Sequence, residues 1–441
     1  MSDSSELSSS GRSAIPEGTV PVAIGLFLAG FTAYAFFKVG QVALGKELFK
    51  PIVALWFTAF ALVPGIYVPV EQELGRALAH RRALGQGGRP VVRKMLVLTS
   101  AITAVLIAII AIASPWLTTH MFDGYWTVTI ALVIAFTAYA PMHIARGIAS
   151  GSGRFTAYGI IMGVDGLARI GACVALWLLG VENVGAYAVA VVAAPLIAVG
   201  IVAVRRNLTT DDGPAATFAE ITPNLGWLLL GSVMGAALVN AGPLGVDVLA
   251  SSSEAAKVTA FGNGVLLSRV PLFLFQAVQA SLLPRLARLA AQGALDEFRH
   301  GLQLLLKIVV GVAVLGTAGS FVLGPWALEL VYGDGLDRRT LTLLALASGV
   351  YMLALAVAQA VIALHGHKFV ALGWLAAMST FVLVTAVSSD DLYLRVELGL
   401  VAGSTAALVI FLYALKVKFN AGEHPDAELV AEGILDSPFG E

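Results

Sequence analysis

The chain has 441 residues, of which 58% are hydrophobic and only 12% are charged. Its mean hydropathy of +0.86 excludes an ordinary soluble domain, in which about 25% of residues are charged. The net charge of −1 gives no sign of a nucleic-acid partner, and the single cysteine, Cys173, excludes an intrachain disulfide.

Twelve apolar stretches follow a polar, Ser-rich start, and each is long enough to cross a bilayer, which takes about 20 residues. We predict twelve helices, because lipid offers the backbone no other hydrogen-bond partners. The stretches lie near 18–42, 51–72, 95–117, 126–147, 156–179, 184–204, 222–250, 257–283, 304–331, 340–364, 369–388 and 393–415.

The domain organisation follows from these stretches. The segments are a disordered cytoplasmic tail over 1–17, an N-lobe of helices 1–6 over 18–206, a cytoplasmic linker over 207–219, a C-lobe of helices 7–12 over 220–418 and a disordered acidic cytoplasmic tail over 419–441. Asp211-Asp212-Gly213-Pro214 is a sequence typical of such a linker.

Basic residues predict the orientation. Most of the 27 Lys and Arg residues fall in segments on the same side as the N-terminus. The positive-inside rule therefore predicts a multi-pass protein of the inner (plasma) membrane with both termini in the cytoplasm. The six basic residues on the other side are Lys46, Lys50, Lys257, Arg338, Arg339 and Arg395.

The second half of the chain repeats the first at an offset of roughly 207–214 residues. Ser114-Pro115-Trp116 corresponds to Gly324-Pro325-Trp326, and the segment 153–159 corresponds to 367–373. A repeat of this length is a duplicated half-protein, which is typical of transporters. We therefore predict an all-α polytopic membrane protein with two parallel-repeat six-helix lobes around a central cavity.

Three basic residues, Lys38, Arg169 and Arg269, lie inside predicted spans. An ionisable group at the bilayer centre costs about 3 kcal/mol on insertion scales and more than about 10 in simulations, so such groups usually face a water-filled cavity or a partner. Lys38 either faces the cavity or extends to the outer interface. Arg269 either lines the cavity and binds phosphate or bonds helix carbonyls.

Two acids are candidates for gating or coupling. Asp165 lies four residues before Arg169, so the two share one helix face and pair; the pair either locks the helix or takes part in gating or in binding charged substrate. Asp247 falls near the repeat counterpart of Lys38, which suggests a bridge across the cleft.

Amides near Arg269 complete the candidate substrate site, and they are Asn263, Gln276 and Gln279. The basic segment 76–94 sets orientation and contacts anionic lipid heads, or alternatively guides an anionic substrate. We predict no catalytic residue, no metal site and no cofactor. The segment 40–46 has most of a phosphate-binding loop, but Glu47 replaces the required Ser or Thr.

The second half carries a set of motifs that resembles a known superfamily. The motifs are the run Gln276–Leu289, Gly324-Pro325-Trp326, Tyr332-Gly333-Asp334 and Gly366-His367-Lys368. They resemble the polysaccharide exporters and lipid-linked oligosaccharide flippases of the multidrug/oligosaccharidyl-lipid/polysaccharide exporter superfamily. The resemblance implies two lobes in a V that open alternately to each side.

These observations predict a flippase or exporter, not an enzyme, that moves a lipid-linked oligosaccharide or related envelope glycan or glycolipid to the outer leaflet. Lys38 and Arg269 would contact phosphate. Its partners would be that substrate, membrane lipids, and glycosyltransferases or a polymerase. Two alternatives stay open, namely an ion-coupled drug or metabolite exporter and a transport-inactive scaffold for envelope-synthesis or division proteins.

Overall fold

The computed structural model describes residues 19–205, 208–222, 225–272, 275, 289, 292–333 and 335–422. Within these ranges the protein is all-helical, with no β-strand. The α-helices are α1 (Thr19–Ala83), α2 (Arg89–His120), α3 (Trp126–Gly151), α4 (Phe155–Leu178), α5 (Val184–Val204), α6 (Leu225–Leu249), α7 (Ala255–Ser268), α8 (Leu295–Tyr332), α9 (Arg338–Ala363), α10 (His367–Val387) and α11 (Leu392–Gly422).

Ten of these helices are long and apolar enough to cross a membrane, and only α7, with 14 described residues, is not. The chain is therefore a multi-pass membrane protein. Gln276 and Gln279 lie outside the described residues, as do the tail 1–17 and most of the tail 419–441. The helix α11 continues to Gly422, beyond the apolar stretch, because hydropathy marks the membrane boundary and not the helix end.

The first two predicted spans form one helical segment, α1, with two arms that meet at Gly45. Gly45 has φ 76° and ψ 162°, a backbone conformation that is essentially restricted to glycine. The second arm runs on to Ala83, so the predicted basic segment 76–94 is mostly helical and only 84–88 forms a loop.

The helices pack as an N-terminal bundle (α1–α5) and a C-terminal bundle (α6–α11), which meet where α1 contacts α6 and α7. The backbones approach closely at glycines. A Cβ on Gly25 of α1 would lie 2.4 Å from the Gly159 carbonyl oxygen of α4, and one on Gly65 would lie 2.8 Å from the Val233 Cα of α6. Small residues permit this contact in lipid, where packing drives helix association.

The sequence repeat coincides with helices in the two bundles. Pro115 lies inside α2 and Pro325 inside α8, while α4 begins at Phe155 and α10 at His367. We call the membrane face that carries segment 208–222 the linker side. The other face, which carries Gly45 and the α2–α3, α6–α7 and α10–α11 connections, is the far side.

Candidate functional site

A cavity of about 290 Å³ lies between the second arm of α1 and the helices α6, α9 and α10. None of its described lining residues is Asp, Glu, Lys or Arg. Side-chain amides offer both hydrogen-bond donors and acceptors, and aromatic faces offer flat contact surfaces. Together they suit a polar but uncharged group. The rings of the lining belong to Phe60, Trp227, Tyr351, His367 and Trp374, and its amides to Gln72, Asn240 and Gln359.

The cavity lies toward the linker side of the protein. Trp227 is in the first turn of α6, Gln72 is near the linker-side end of α1, and His367 begins α10. On the far side, polar contacts join α1 to α6 and α7 instead. The arrangement is thus closed on the far side and has its cavity nearer the linker side.

Arg269 lies behind the cavity, at the C-cap of α7 and two residues before Pro271. Its guanidinium donates to the Asn240 side-chain oxygen (3.1 Å) and to the Val239 carbonyl, and it lies 5.3 Å from the centre of the Phe57 ring. Asn240 and Val239 also line the cavity.

No carboxylate among the described residues pairs with Arg269, which is only 8% exposed. The nearby sequence 273–291 contains no Asp or Glu. A buried cation held by neutral groups alone favours an anion close to it.

An ion pair joins the two bundles on the far side. Lys50 Nζ of α1 lies 3.2 Å from Asp247 Oδ1 of α6 and 2.8 Å from Asp123 Oδ1 of the α2–α3 connection. The side chains of Lys50 and Asp247 are 7% and 1% exposed. The position suits a contact that opens when the bundles separate.

The expected bridge between Lys38 and Asp247 is not present, because Lys50 occupies that place. Lys38 is half-buried and forms no ion pair with another described residue. Sequence reasoning assigned Lys50 to an outer loop, whereas α1 carries it inside its second arm. Asn263, expected beside Arg269, instead exchanges two amide hydrogen bonds with Gln41 of α1, at 2.7 and 2.9 Å.

Asp165 and Arg169 form the predicted ion pair on one face of α4, and both side chains are buried. Arg169 also donates to the Tyr139 hydroxyl (3.1 Å), and its guanidinium lies 5.1 Å from the centre of the Trp56 ring. The pair lies inside the N-terminal bundle and does not line the cavity, an arrangement that suits the locking role.

Sequence reasoning missed a second buried network one turn away. Glu71 of α1 bonds His143 (2.8 Å), Arg146 (3.1 Å) and the Tyr158 hydroxyl (2.9 Å). The signal was helical spacing, because Tyr139, His143 and Arg146 recur at four and three residues along α3. Arg146 was instead counted with the linker-side loops.

The basic segment contacts the linker of its own chain. Arg81 donates to both Glu220 carboxylate oxygens (2.7 and 2.9 Å) and Arg89 pairs with Asp212 (2.6 Å). The hydrogen bond from Arg81 is the main cause of a lowered pKa at Glu220. These acids neutralise part of the basic cluster that was expected to attract lipid or substrate.

The described residues contain no group of three or more His, Cys, Asp or Glu side chains that could hold a metal ion. The buried charged groups are bound to one another or to neutral amides and carbonyls. The described residues thus form a polar cavity toward the linker side and a set of polar contacts on the far side.

Comparisons with known proteins identify the fold. No family model matches the chain. Uncharacterized proteins of Mycobacterium bovis and Mycobacterium tuberculosis are 26% identical over 437 residues, covering 93% of this chain and 95% of theirs.

Among solved structures, a MATE transporter of Vibrio cholerae is 15% identical with a TM-score of 0.68, covering 92% of this chain and 99% of that one. The fold is that of a MATE transporter. A multidrug resistance MATE family transporter of the MOP superfamily in an inward-facing conformation has a TM-score of 0.66 and 15% identity, covering 94% of this chain and 97% of that one. Such a transporter in an outward-facing conformation has a TM-score of 0.69 and 14% identity, covering 92% of this chain and 95% of that one. The MATE fold thus extends over both bundles.

Proposed function

We propose that this chain is an inner-membrane exporter of the MOP type that moves a lipid-linked oligosaccharide, or a related envelope glycan or glycolipid, to the outer leaflet by alternating access. The observation that carries the proposal is the cavity, in whose described lining aromatic rings and amides occur without an acid, together with Arg269 behind it, a cation that no described carboxylate pairs with. A neutral glycan suits the cavity, and a lipid phosphate suits Arg269.

The direction of transport rests on orientation. The linker side carries most of the basic residues, so we assign it to the cytoplasm together with both termini. A substrate head would then enter the cavity from the cytoplasmic face. Separation of Lys50 from Asp247 would open the far side, and the head would leave there.

Arg269 is assigned the lipid phosphate. Its two contacts, to Asn240 and Val239, are to groups that also line the cavity, so a small movement of α6 would bring the guanidinium to the substrate. Lys38, half-buried on the first arm of α1, is a second candidate for phosphate. The barrier to crossing falls because the polar head finds a polar path in place of lipid.

The test is analysis of lipids from cells depleted of this protein, by thin-layer chromatography and mass spectrometry. We expect a lipid-linked glycan to accumulate in the cytoplasmic leaflet. Wild-type protein should clear it, and Arg269→Gln protein, expressed at the same level, should not. An unchanged lipid profile on depletion would reject the glycan substrate.

A second candidate is export of drugs or metabolites coupled to ions. It is favoured by the fold, since solved structures with this fold are described as multidrug resistance transporters. Asp165 or Asp247 would be the coupling acid. Efflux of a cationic dye that depends on the proton gradient and is lost in Asp165→Asn would support this function over the first.

A further inference from the structure

Two concave surfaces meet at Arg395 on the far side, away from the central cavity. One is an apolar groove of about 540 Å³ between α1, α6 and α10, and the other is a polar cleft of about 520 Å³. Leu249 and Arg395 line both. An apolar surface that continues into a charged one has the form of a site for an amphiphile.

The groove has the length of one membrane leaflet. It follows α6 from Ala237 to Leu249, about 18 Å at 1.5 Å per residue, against about 15 Å for half of the hydrocarbon core. Ala237, Ala241 and Gly245, spaced four residues apart, leave room along this face of α6. Val248 in the groove is 59% exposed, so the groove is open to lipid.

Arg395 lies at the far-side end of the groove, in the first turn of α11, where the headgroup of a lipid in the groove would lie. Its Nε donates to the Thr385 carbonyl (2.9 Å) and one Nη to the Ala386 carbonyl (3.4 Å). A guanidinium has five N–H donors, and its other Nη has no partner among the described residues. The free edge of a guanidinium is suited to phosphate oxygens.

The polar cleft has more acids than cations. Glu254 pairs with Lys257 (2.8 Å), whereas Arg339 alone faces Asp391 (3.3 Å), Asp337 (3.7 Å) and the buried Glu397 (3.8 Å). The remaining acid, Asp390, is exposed and pairs with no described residue. The lining thus has an excess of acid, and among its described residues Arg395 is the cation and Asp390 the acid that form no ion pair.

We propose that this seam between the bundles binds an aminophospholipid of the far-side leaflet, with an acyl chain along α6, the phosphate on Arg395 and the ammonium group at Asp390. A zwitterion fits because Arg395 offers a cation for the phosphate while the excess of acid in the cleft favours an ammonium group beside Asp390. A purely anionic head would meet Asp390 with no compensating cation. The site is separate from the cavity and does not depend on the substrate proposed above.

The experiment measures lipid binding to the purified full-length protein by native mass spectrometry. Phosphatidylethanolamine is the probe, and phosphatidylcholine, whose ammonium has no N–H, and phosphatidylglycerol, which has no ammonium, are the comparison lipids. We expect one phosphatidylethanolamine to be retained about tenfold more strongly than either comparison lipid. Both comparison lipids lack the hydrogen bond from an ammonium N–H to Asp390, and the loss of one such bond to a charged group weakens binding by about that factor.

Three variants test the three parts of the site. Arg395→Gln removes the phosphate contact, Asp390→Asn the ammonium contact, and Val248→Trp fills the groove while leaving both charges. Each should reduce retention about tenfold. Arg338→Gln and Val409→Trp change an exposed arginine and an exposed valine outside the groove, and should leave retention unchanged.

Equal retention of the three lipids, with no effect of Val248→Trp, would overturn the proposal and leave only unselective lipid at this surface. Stronger retention of phosphatidylglycerol would overturn the assignment of the ammonium to Asp390. Arg395 also donates to carbonyls at the end of α10, so if Arg395→Gln fails to fold, the retention measured for Val248→Trp tests the proposal in its place.

Discussion

Lys50 of α1 and Asp247 of α6 form a buried ion pair of 3.2 Å between the two bundles. Lys50 has a second partner, Asp123, at 2.8 Å, whereas Asp247 has no other described partner. The relationship is therefore asymmetric, since removal of the lysine leaves two carboxylates and removal of Asp247 leaves a complete pair.

The asymmetry predicts unequal effects of two substitutions. Lys50→Met should destabilise the protein by about 3–5 kcal/mol, because it leaves a buried charge uncompensated. Asp247→Asn should cost clearly less. Reversible denaturation in mixed micelles measures both, with Lys257→Met, at a lysine 58% exposed, as a control of about 1 kcal/mol or less. Equal losses at Lys50 and Asp247 would contradict the proposed asymmetry.

Arg269 is expected to matter for transport more than for folding. Arg269→Gln removes a buried cation that no described carboxylate pairs with, so the unfolding midpoint should change little while transport falls about tenfold or more. Arg269→Lys should rescue only part of the loss, because an ammonium lacks the planar fork. Transport of the proposed lipid-linked glycan into proteoliposomes measures the effect; full activity of Arg269→Gln would remove this residue from the proposed site.

Two tryptophans of the cavity should behave differently. Trp374 is 4% exposed and packs on Tyr351 and Phe411, so Trp374→Ala should lower stability by about 3–5 kcal/mol. Trp227 is 40% exposed, and Trp227→Ala should lower transport with little change in melting. Trp326→Ala, at a tryptophan 63% exposed on α8, is the matched control. Loss of transport in the Trp326 variant as well would show that the assay reports general damage.

The buried pair Asp165 and Arg169 is expected to be structural. Asp165→Asn and Arg169→Met should each lower the melting temperature, since each leaves one polar group unmatched. The double change Asp165→Leu with Arg169→Met should recover much of the stability, because a buried pair can be replaced by apolar side chains. A stable double variant that has lost transport would instead assign the pair to gating.

The docking of the linker should depend on pH. Arg81 lowers the pKa of Glu220 from its ordinary value of 4.5, so the pair stabilises the docked linker above about pH 4.5 and is lost as the pH falls through the lowered pKa. A spin label on a cysteine at Ala219, with Cys173 buried, should gain mobility on acidification. Glu220→Gln should be mobile at every pH, and a response to acid in that variant would point to another group.

Hydropathy and spacing predicted much of this fold because lipid leaves few alternatives. Apolar length predicted a helix at each described span, although α1 and α8 extend about ten residues past the predicted bounds and most of 273–283 lies outside the described residues. Four-residue spacing predicted the pairing of Asp165 with Arg169. The repeat predicted corresponding helices in the two halves, as Pro115 and Pro325 illustrate.

The polar contacts between helices were harder to predict, because one sequence does not give their distances. Lys50 looked like a loop residue because hydropathy falls at Gly45, although the helix resumes directly after it. Glu71 looked like a membrane-boundary residue, although α3 and α4 enclose it. The partner of a charge on a neighbouring helix depended on helix rotation, which a hydropathy profile does not contain.

The docked linker has a consequence for biogenesis. Arg81 and Arg89, which bind residues of 210–220, precede that segment in the chain, so they leave the ribosome before it does. A chain that folds from its N-terminus as it is synthesised can therefore secure the start of α6 before the second bundle has been translated. The first bundle would then act as the template against which the second is inserted.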